Sequence, residues 1–518
     1  MKRGADGSSD LGTGDPDATR SRDTGGGVAA PPSAPCIVHR RDLVVGAAAG
    51  LFASALAAPG ARAAGPAGTQ AAPASSTAPP RRPNIVLLVA DDLGWGDLAC
   101  YGNTLARTPN LDKLAARGCL YMNGYAPSTV CSSSRVGTMT GRFPSRDRFF
   151  SWLGEDPKRP NENRDRGMPD FLDPALPALP RALKQVGYAT GFFGKWHIGK
   201  VGAPEPRAYG FDAYKVASGN GPWFPTGGKP FRPISSRLIV DEAIQFIDAH
   251  AGAPFFLQLA FLDPHVPLDP VPEDRARCAS TAGVLGIYCS VLEGLDAHVG
   301  RLLAHLETRG LAGDTVVVFT SDNGPAASLM PDDATIGGGT AGPLRGMKGC
   351  LYDGGIRVPF LVRWPNGMKA GRVDNRTVIA GTDLLPTFCA LAGAPLPTSH
   401  AIDGEDLSAA FRGAPVDRMR ALFWDWRYPQ RFRPALHSSP MLAMRWQHWK
   451  LLANPDGSRT ELYDLRSDLS EVDNLAREVP SVVDALRPQL LAWWRSLPEA
   501  PVPSTAGQVL WTLPKATP

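Results

Sequence analysis

The chain has 518 residues, 43% hydrophobic and 20% charged, with a formal net charge of +4. That length and apolar content allow a large core and more than one structural unit, while so small a net charge suggests no nucleic acid or other polyanion as partner. Eight cysteines without CxxC or Cys/His clustering imply neither a zinc site nor a disulfide framework, although one or two bridges stay open.

Residues 1–81 read as an export signal and disordered linker outside the fold. His39-Arg40-Arg41-Asp42-Leu43-Val44-Val45 is followed by an apolar run over residues 46–58 and by Ala61-Arg62-Ala63, a small-x-small cleavage signal. Those parts in that order predict a twin-arginine signal, the twin-arginine machinery as a partner and a periplasmic or secreted protein. The apolar run is too short for a permanent membrane span. The alternative is an alanine-rich tail that happens to contain Arg-Arg.

Residues 84–90, Asn-Ile-Val-Leu-Leu-Val-Ala, form an unbroken apolar run and predict a strand buried in a parallel or mixed sheet. The run ends in Asp91-Asp92-Leu93-Gly94-Trp95-Gly96-Asp97. Adjacent carboxylates at a buried strand end are costly unless neutralised, and open α/β sheets collect ligands at that edge. A hard divalent cation with oxygen ligands accounts for the pair, and calcium suits flexible carboxylate sites better than magnesium. A cap or loop acid pair is the alternative. Residues 108–118 read as a helix with Thr108 as cap, Pro109 first and Gly118 at its end.

Thr129-Val130-Cys131-Ser132-Ser133-Ser134-Arg135 then runs on to Gly141 and Arg142. It places Cys131 at the start of a short helix, where backbone N–H groups and the dipole favour an anion. Arg135 lies one turn on and can turn its guanidinium to the same spot. The pattern suits a tetrahedral oxyanion; a small buried cysteine before a helix is the alternative. Residues 144–175 are charged and proline-rich, predicting an irregular surface insertion of the kind that shapes substrate choice. A helix over 179–186 and a strand over 188–193 lead into Gly194-Lys195-Trp196-His197-Ile198-Gly199-Lys200. If that chain is extended, Lys195 and His197 point the same way, a permanent cation beside a titratable imidazole. A solvated loop is the alternative.

An amphipathic helix over 237–250 and a buried strand over 254–261 precede Leu262-Asp263-Pro264-His265-Val266-Pro267, where prolines hold His265 rigidly enough to protonate a leaving oxygen or bind an anion. Residues 283–308 predict a long helix with Leu285, Val291, Leu292, Leu295, Val299, Leu302, Leu303 and Leu306 as its core stripe. The strand 315–320 ends in Ser321-Asp322-Asn323-Gly324. Asp322 and Asn323 complete an oxygen shell with Asp91 and Asp92 if both strand ends feed one sheet edge; an Asx turn is the alternative. Glycines around Gly342–Gly349 allow close backbone approach, and Lys348 brings a further cation. Arg357 reads as structural. A helix follows Asp383 to about residue 392. Antiparallel strands within 441–452 and 461–465 and a helix over 479–497 close the chain.

Cys131-x-Ser133-x-Arg135, closing in Thr140-Gly141-Arg142, resembles the sulfatase signature cysteine-x-proline-x-arginine ending in threonine-glycine-arginine. Ser133 stands where that family usually has proline, sometimes alanine. Asp91–Asp97, Thr108–Asp112, Gly194–Gly199, Tyr209–Asp212, Pro264–Pro267 and Arg345–Lys348 resemble further blocks in the family's order, with Met347 where glycine is common. The resemblance covers about residues 82–476. It implies the alkaline-phosphatase-like α/β fold, a sandwich with a large mixed sheet between helices plus a small C-terminal antiparallel-sheet subdomain, divided as a catalytic domain 82–400 and a subdomain 401–518. It implies a sulfuric ester hydrolase in which Cys131 is oxidised to formylglycine by a formylglycine-generating enzyme, its hydrated aldehyde being the nucleophile. It further implies Ca²⁺ held by Asp91, Asp92, Cys131, Asp322 and Asn323, and catalytic roles for Cys131, Arg135, Lys195, His197, His265 and Lys348. The expected substrate is an aryl sulfate or a sulfated glycan. A phosphonate or phosphate ester hydrolase on the same fold, or a non-catalytic sulfoglycan-binding protein if Cys131 is not converted, are the alternatives. Ser218 is a candidate pocket residue, and Asn220–Phe224 and Trp424–Trp426 can stack on sugar rings or simply pack.

Overall fold

The structure, a computed structural model, describes residues 82–509 apart from 155–157, 201, 218–229, 279, 282, 327–337 and 429–434. The export-signal reading of residues 1–81, Ser218 and the 220–224 stretch fall outside the described residues.

The four apolar runs expected as strands join one large sheet, which four further strands, not expected from the sequence, complete. In chain order the strands of this sheet are β1 (Asn84–Ala90), β2 (Cys119–Tyr125), β3 (Ala189–Lys195), β4 (Ala213–Ala217), β5 (Phe255–Ala260), β6 (Thr315–Ser321), β7 (Phe360–Arg363) and β8 (Arg372–Ala380). They lie in the order β4-β3-β5-β1-β6-β7-β2-β8. β1 is parallel to β5 and β6, and β7 runs opposite to both β6 and β2, so the sheet is mixed. Alternation along β1 explains its unbroken apolarity. Ile85, Leu87 and Val89 enter the core on one face, and Val86, Leu88 and Ala90 the core on the other. Each such aliphatic side chain contributes about 1.5–3 kcal/mol by leaving water.

Helices Pro109–Ala116, Ser235–His250 and Gly283–Thr308 cover one face, and Leu179–Lys184 and Leu384–Ala392 the other. The stripe expected on Gly283–Thr308 is core from Leu292 to Leu306, but Leu285 is 47% exposed. The first turns of that helix face Gly286 and Tyr288 inward instead, and a side chain on Gly286 would strike the Thr281 carbonyl. Residues 144–175 also depart from the expectation of a surface insertion. Phe149, Phe150 and Leu153 are buried in the core, because three bulky apolar groups outweigh the polarity of their neighbours.

A second, antiparallel sheet has the order β12-β11-β10-β9, formed by β9 (Leu422–Asp425), β10 (Leu442–Trp446), β11 (Trp449–Ala453) and β12 (Glu461–Asp464). Helix Pro480–Arg495 packs on it. β9 was not expected from the sequence. It carries Trp424, buried with its indole N–H donating to the Ala126 carbonyl at 2.9 Å, and Trp426 is buried beside it. Both rings are core and neither presents a sugar platform.

Among the described residues no helix is long and apolar enough to cross a membrane, and all seven described cysteines are free thiols.

Candidate active site

β3, β5, β1 and β6 are successive parallel neighbours in the sheet, and the carboxyl ends of β1, β3 and β6 each deliver polar residues to one point. β1 delivers Asp91 and Asp92, β3 ends in Lys195, and β6 delivers Asp322 and Asn323. Cys131 opens the helix Cys131–Thr140, which stops at Gly141 in the left-handed conformation. Asp92 itself has φ 62, an uncommon conformation for a side-chain-bearing residue that turns the chain sharply after the strand.

The contacts are short and almost wholly buried. The Lys348 ammonium donates to Cys131 Sγ at 3.2 Å and to Asp92 Oδ1 at 2.6 Å. The thiol lies 3.5 Å from Asp91 Oδ1 and 3.9 Å from Asp92 Oδ1. Lys195 Nζ donates to Asp91 Oδ2 at 2.6 Å. Arg135 grips Asp322 Oδ2 through Nε at 3.0 Å and Nη2 at 2.6 Å, and its Nη1 donates to the Lys195 carbonyl. Asn323 Nδ2 donates to Asp92 Oδ1 at 2.7 Å. His265 Nε2 approaches Asp92 Oδ2 at 3.5 Å.

Burial and charge set the protonation states. Burial pushes the Asp91 carboxyl up, but Lys195, His265 and Arg135 outweigh it and hold the group well below the carboxylate range. Asp92 is likewise lowered, against its burial, chiefly by Lys348. Asp322 is pushed up to about 6 by burial and by Asp91, despite Arg135. Burial raises the Cys131 thiol far above its usual range. His197 is driven well below the usual imidazole range by burial and then by Lys195 and Arg135. Burial lowers His265 to about 4, although Asp92 and Asp91 pull the other way.

Three buried atoms at this point lack a hydrogen-bond partner: Asp92 Oδ2, Asn323 Oδ1 and His197 Nδ1. Buried polar groups are otherwise almost always satisfied. The two oxygens, with ligand atoms of Asp91, Asp92, Cys131 and His265 all within 4.8 Å of one another, fit a hard divalent cation.

The structure brings Asp91, Asp92, Cys131, Arg135, Lys195, His197, His265, Asp322, Asn323 and Lys348 to one place, with two differences in geometry from the expectation. His197 is not aligned with Lys195 along an extended strand. β3 ends at Lys195, and His197 takes φ 49, so its ring reaches the site by a turn. Gly194 permits this corner, at φ 119 with no room for a side chain against the Ala260 carbonyl. His265, expected to protonate a leaving oxygen or bind an anion, stands among the groups that could hold a cation. Three supports had no signal in sequence spacing. Thr129 Oγ1 accepts from the Gly349 and Cys350 N–H groups and so places the Lys348 turn. Asp97 takes hydrogen bonds from Gly94, Thr340 and Tyr288. The hydroxyls of Ser132 and Ser133 hold residues 151–153.

A mixed sheet with acids at adjacent strand ends, and basic groups around Cys131, is the arrangement of the alkaline-phosphatase-like fold. Comparison with known proteins narrows this. The Sulfatase family profile matches residues 83–394, and that of the N-sulphoglucosamine sulphohydrolase C-terminal region matches residues 347–494. Arylsulfatase A of Homo sapiens is 33% identical over 469 residues, covering 80% of this chain and 88% of its own. N-acetylgalactosamine-6-sulfatase of Sus scrofa is 33% identical over 400 residues, covering 68% and 73%. The crystal structure of Ps i-CgsB in complex with k-i-k-neocarrahexaose superposes with a TM-score of 0.68 at 27% identity, covering 82% of this chain and 96% of that one. The chain belongs to the sulfatase family and is a sulfuric ester hydrolase.

Proposed function

We propose that the protein is an exported, formylglycine- and calcium-dependent sulfatase acting on sulfate esters of carbohydrates. The carrying observation is Cys131 at a helix start, its sulfur 3.2 Å from the Lys348 ammonium and 3.5 Å from the Asp91 carboxylate. The carbohydrate class is supported by relatives named for N-acetylgalactosamine-6-sulfate and by a neighbour bound to a neocarrahexaose. Aryl sulfates are the simpler alternative substrates, supported by the likeness to arylsulfatase A.

Asp91, Asp92, Asp322 and Asn323, with side chain 131, would hold Ca²⁺, which supplies a fixed positive charge for the sulfuryl oxygens. Oxidised to formylglycine, residue 131 supplies a hydrated-aldehyde oxygen as nucleophile and can release sulfate by returning to the aldehyde. As the side chains stand, Asp91, Asp92 and Asp322 face Lys195, Lys348 and Arg135. A divalent cation on the acids would leave this balance positive, suited to an anionic ester. Arg135 and Lys195 then stabilise charge on the sulfuryl oxygens. Lys348, kept charged by Asp92 against its burial, donates to the departing oxygen, with His265 beside it. His197, kept neutral, receives the proton when sulfate leaves. Each positioned acid or base is worth ~10²–10⁴-fold in rate.

The test is sulfate release from a panel of sulfated sugars and aryl sulfates, run beside the matching phosphoesters. Faster phosphoester turnover would replace this reading with a phosphonate or phosphate ester hydrolase. Peptide mass spectrometry across Cys131 in protein from the native host checks conversion by a formylglycine-generating enzyme. An unmodified thiol there, with sulfoglycan binding but no turnover, would make the protein a binding module.

A further inference from the structure

The residues between Cys131 and Arg135 are all serines, and two of them reach outward from the nucleophile turn. Ser133 Oγ donates to the Ser151 carbonyl at 2.8 Å. Ser132 Oγ accepts from the Leu153 N–H at 2.9 Å. Both side chains are fully buried, so neither hydroxyl has water as an alternative partner. Together they clamp residues 151–153 at two points.

The clamped segment faces the histidine. The Leu153 carbonyl is the hydrogen-bond partner of His197 Nε2, at 3.4 Å, while Nδ1 of the same ring is buried with no partner. A carbonyl can only accept, so a neutral ring so placed carries its hydrogen on Nε2 and leaves the Nδ1 lone pair free.

Ser133 is where this chain departs from the family's usual proline, and the helix geometry shows what the departure supplies. The first ladder bond of the helix runs from the Ser134 N–H to the Val130 carbonyl at 3.0 Å. The N–H of residue 133 lies outside that ladder, so a proline ring here would break no helical hydrogen bond. What a proline cannot do is donate to Ser151. We propose that Ser133 is a positioning residue that, by holding segment 151–153, fixes His197 in the Nε2–H tautomer with Nδ1 as the proton acceptor of the reaction. The inference rests on the sulfatase reading above and adds to it a role for the serine within the signature.

The test compares the full-length wild type with Ser133→Ala, Ser133→Pro and Ser133→Thr. Formylglycine at position 131 is counted by peptide mass spectrometry, and kcat and KM for an aryl sulfate are expressed per converted subunit. Loss of one buried hydrogen bond predicts about a tenfold fall in kcat for Ala and Pro, with KM within about twofold. Thr, which keeps a hydroxyl, recovers most of the loss. Unchanged kcat per converted subunit in Ala and Pro would overturn the proposal. A second measurement needs no variant at Ser133. Nitrogen-15 histidine NMR of the wild type, with His197→Gln used only for assignment, should show the Nε2–H tautomer, and an Nδ1–H tautomer would overturn the proposal. A wild type that releases no sulfate would remove the function reading, while conversion and tautomer would still be measured.

Discussion

Among the described residues, two clusters of largely buried charge can be set side by side, and they differ in one respect. The first joins Asp91, Asp92 and Asp322 to Lys195, Lys348 and Arg135. The second lies between the two sheets. There Lys450 donates to Asp353 at 2.7 Å and to Glu471 at 3.1 Å, Tyr125 donates to Asp353 at 2.7 Å, and Arg357 and Arg445 both donate to Asn123. No buried side-chain atom of the second cluster lacks a hydrogen-bond partner, whereas the first leaves Asp92 Oδ2, Asn323 Oδ1 and the nearby His197 Nδ1 unmatched. Buried charge alone therefore does not distinguish a reaction centre from a structural tie. What sets the first apart is that its unmatched oxygens lie beside a group of possible metal ligands, Asp91, Asp92, Cys131 and His265, where a cation could complete them.

The largest effect that would sharpen this contrast is at Cys131. Cys131→Ala should lower kcat by more than about 10⁴-fold, with little loss of stability, and Cys131→Ser should at best trap one sulfate. Sustained turnover in either breaks the covalent cycle. In the second cluster the order reverses. Lys450→Ala should cost about 3–5 kcal/mol in urea unfolding by stranding Asp353 and Glu471.

The second cluster should also give a pH signature. Burial raises Glu471 to about 7 from an ordinary 4.5, against the pull of Lys450. Its contribution to stability is complete below pH 4.5 and is lost as pH rises through 7, about 3 kcal/mol across that window. Glu471→Gln should flatten that part of the stability profile, and an unchanged slope would show that the cluster titrates elsewhere.

Metal removal should act on the first cluster only. Calcium at a hundredfold excess over its Kd should stabilise the protein by about 2.7 kcal/mol, read as a rise in Tm that a chelator reverses. Asn323→Ala should abolish that rise and Lys450→Ala should preserve it. The smallest effect is expected on the long helix. Leu285→Ala should change stability by under about 0.5 kcal/mol, whereas Leu292→Ala, fully buried, should cost about 2–5 kcal/mol.

Much of the site was legible in the chain because its residues sit where regular elements end. Asp91, Lys195 and Asp322 each follow or close an apolar run whose strand character needs no tertiary information, and Cys131 opens a helix bounded by Gly141. Leu285, Trp424 and Phe149 were not legible. Whether an apolar side chain is covered depends on which neighbour arrives opposite it, and those neighbours come from elsewhere in the chain.

By itself the amino-acid order determined the four apolar strands that carry the site and the start of the Cys131 helix, through local periodicity, while its motif blocks pointed to the family by resemblance. Only the tertiary structure decided which hydrogen bonds go unmade, that His197 turns rather than extends, and that Ser133 reaches Ser151. Each depends on contacts between segments that fold closure alone brings together, and pairing of that kind leaves no periodic trace along the chain.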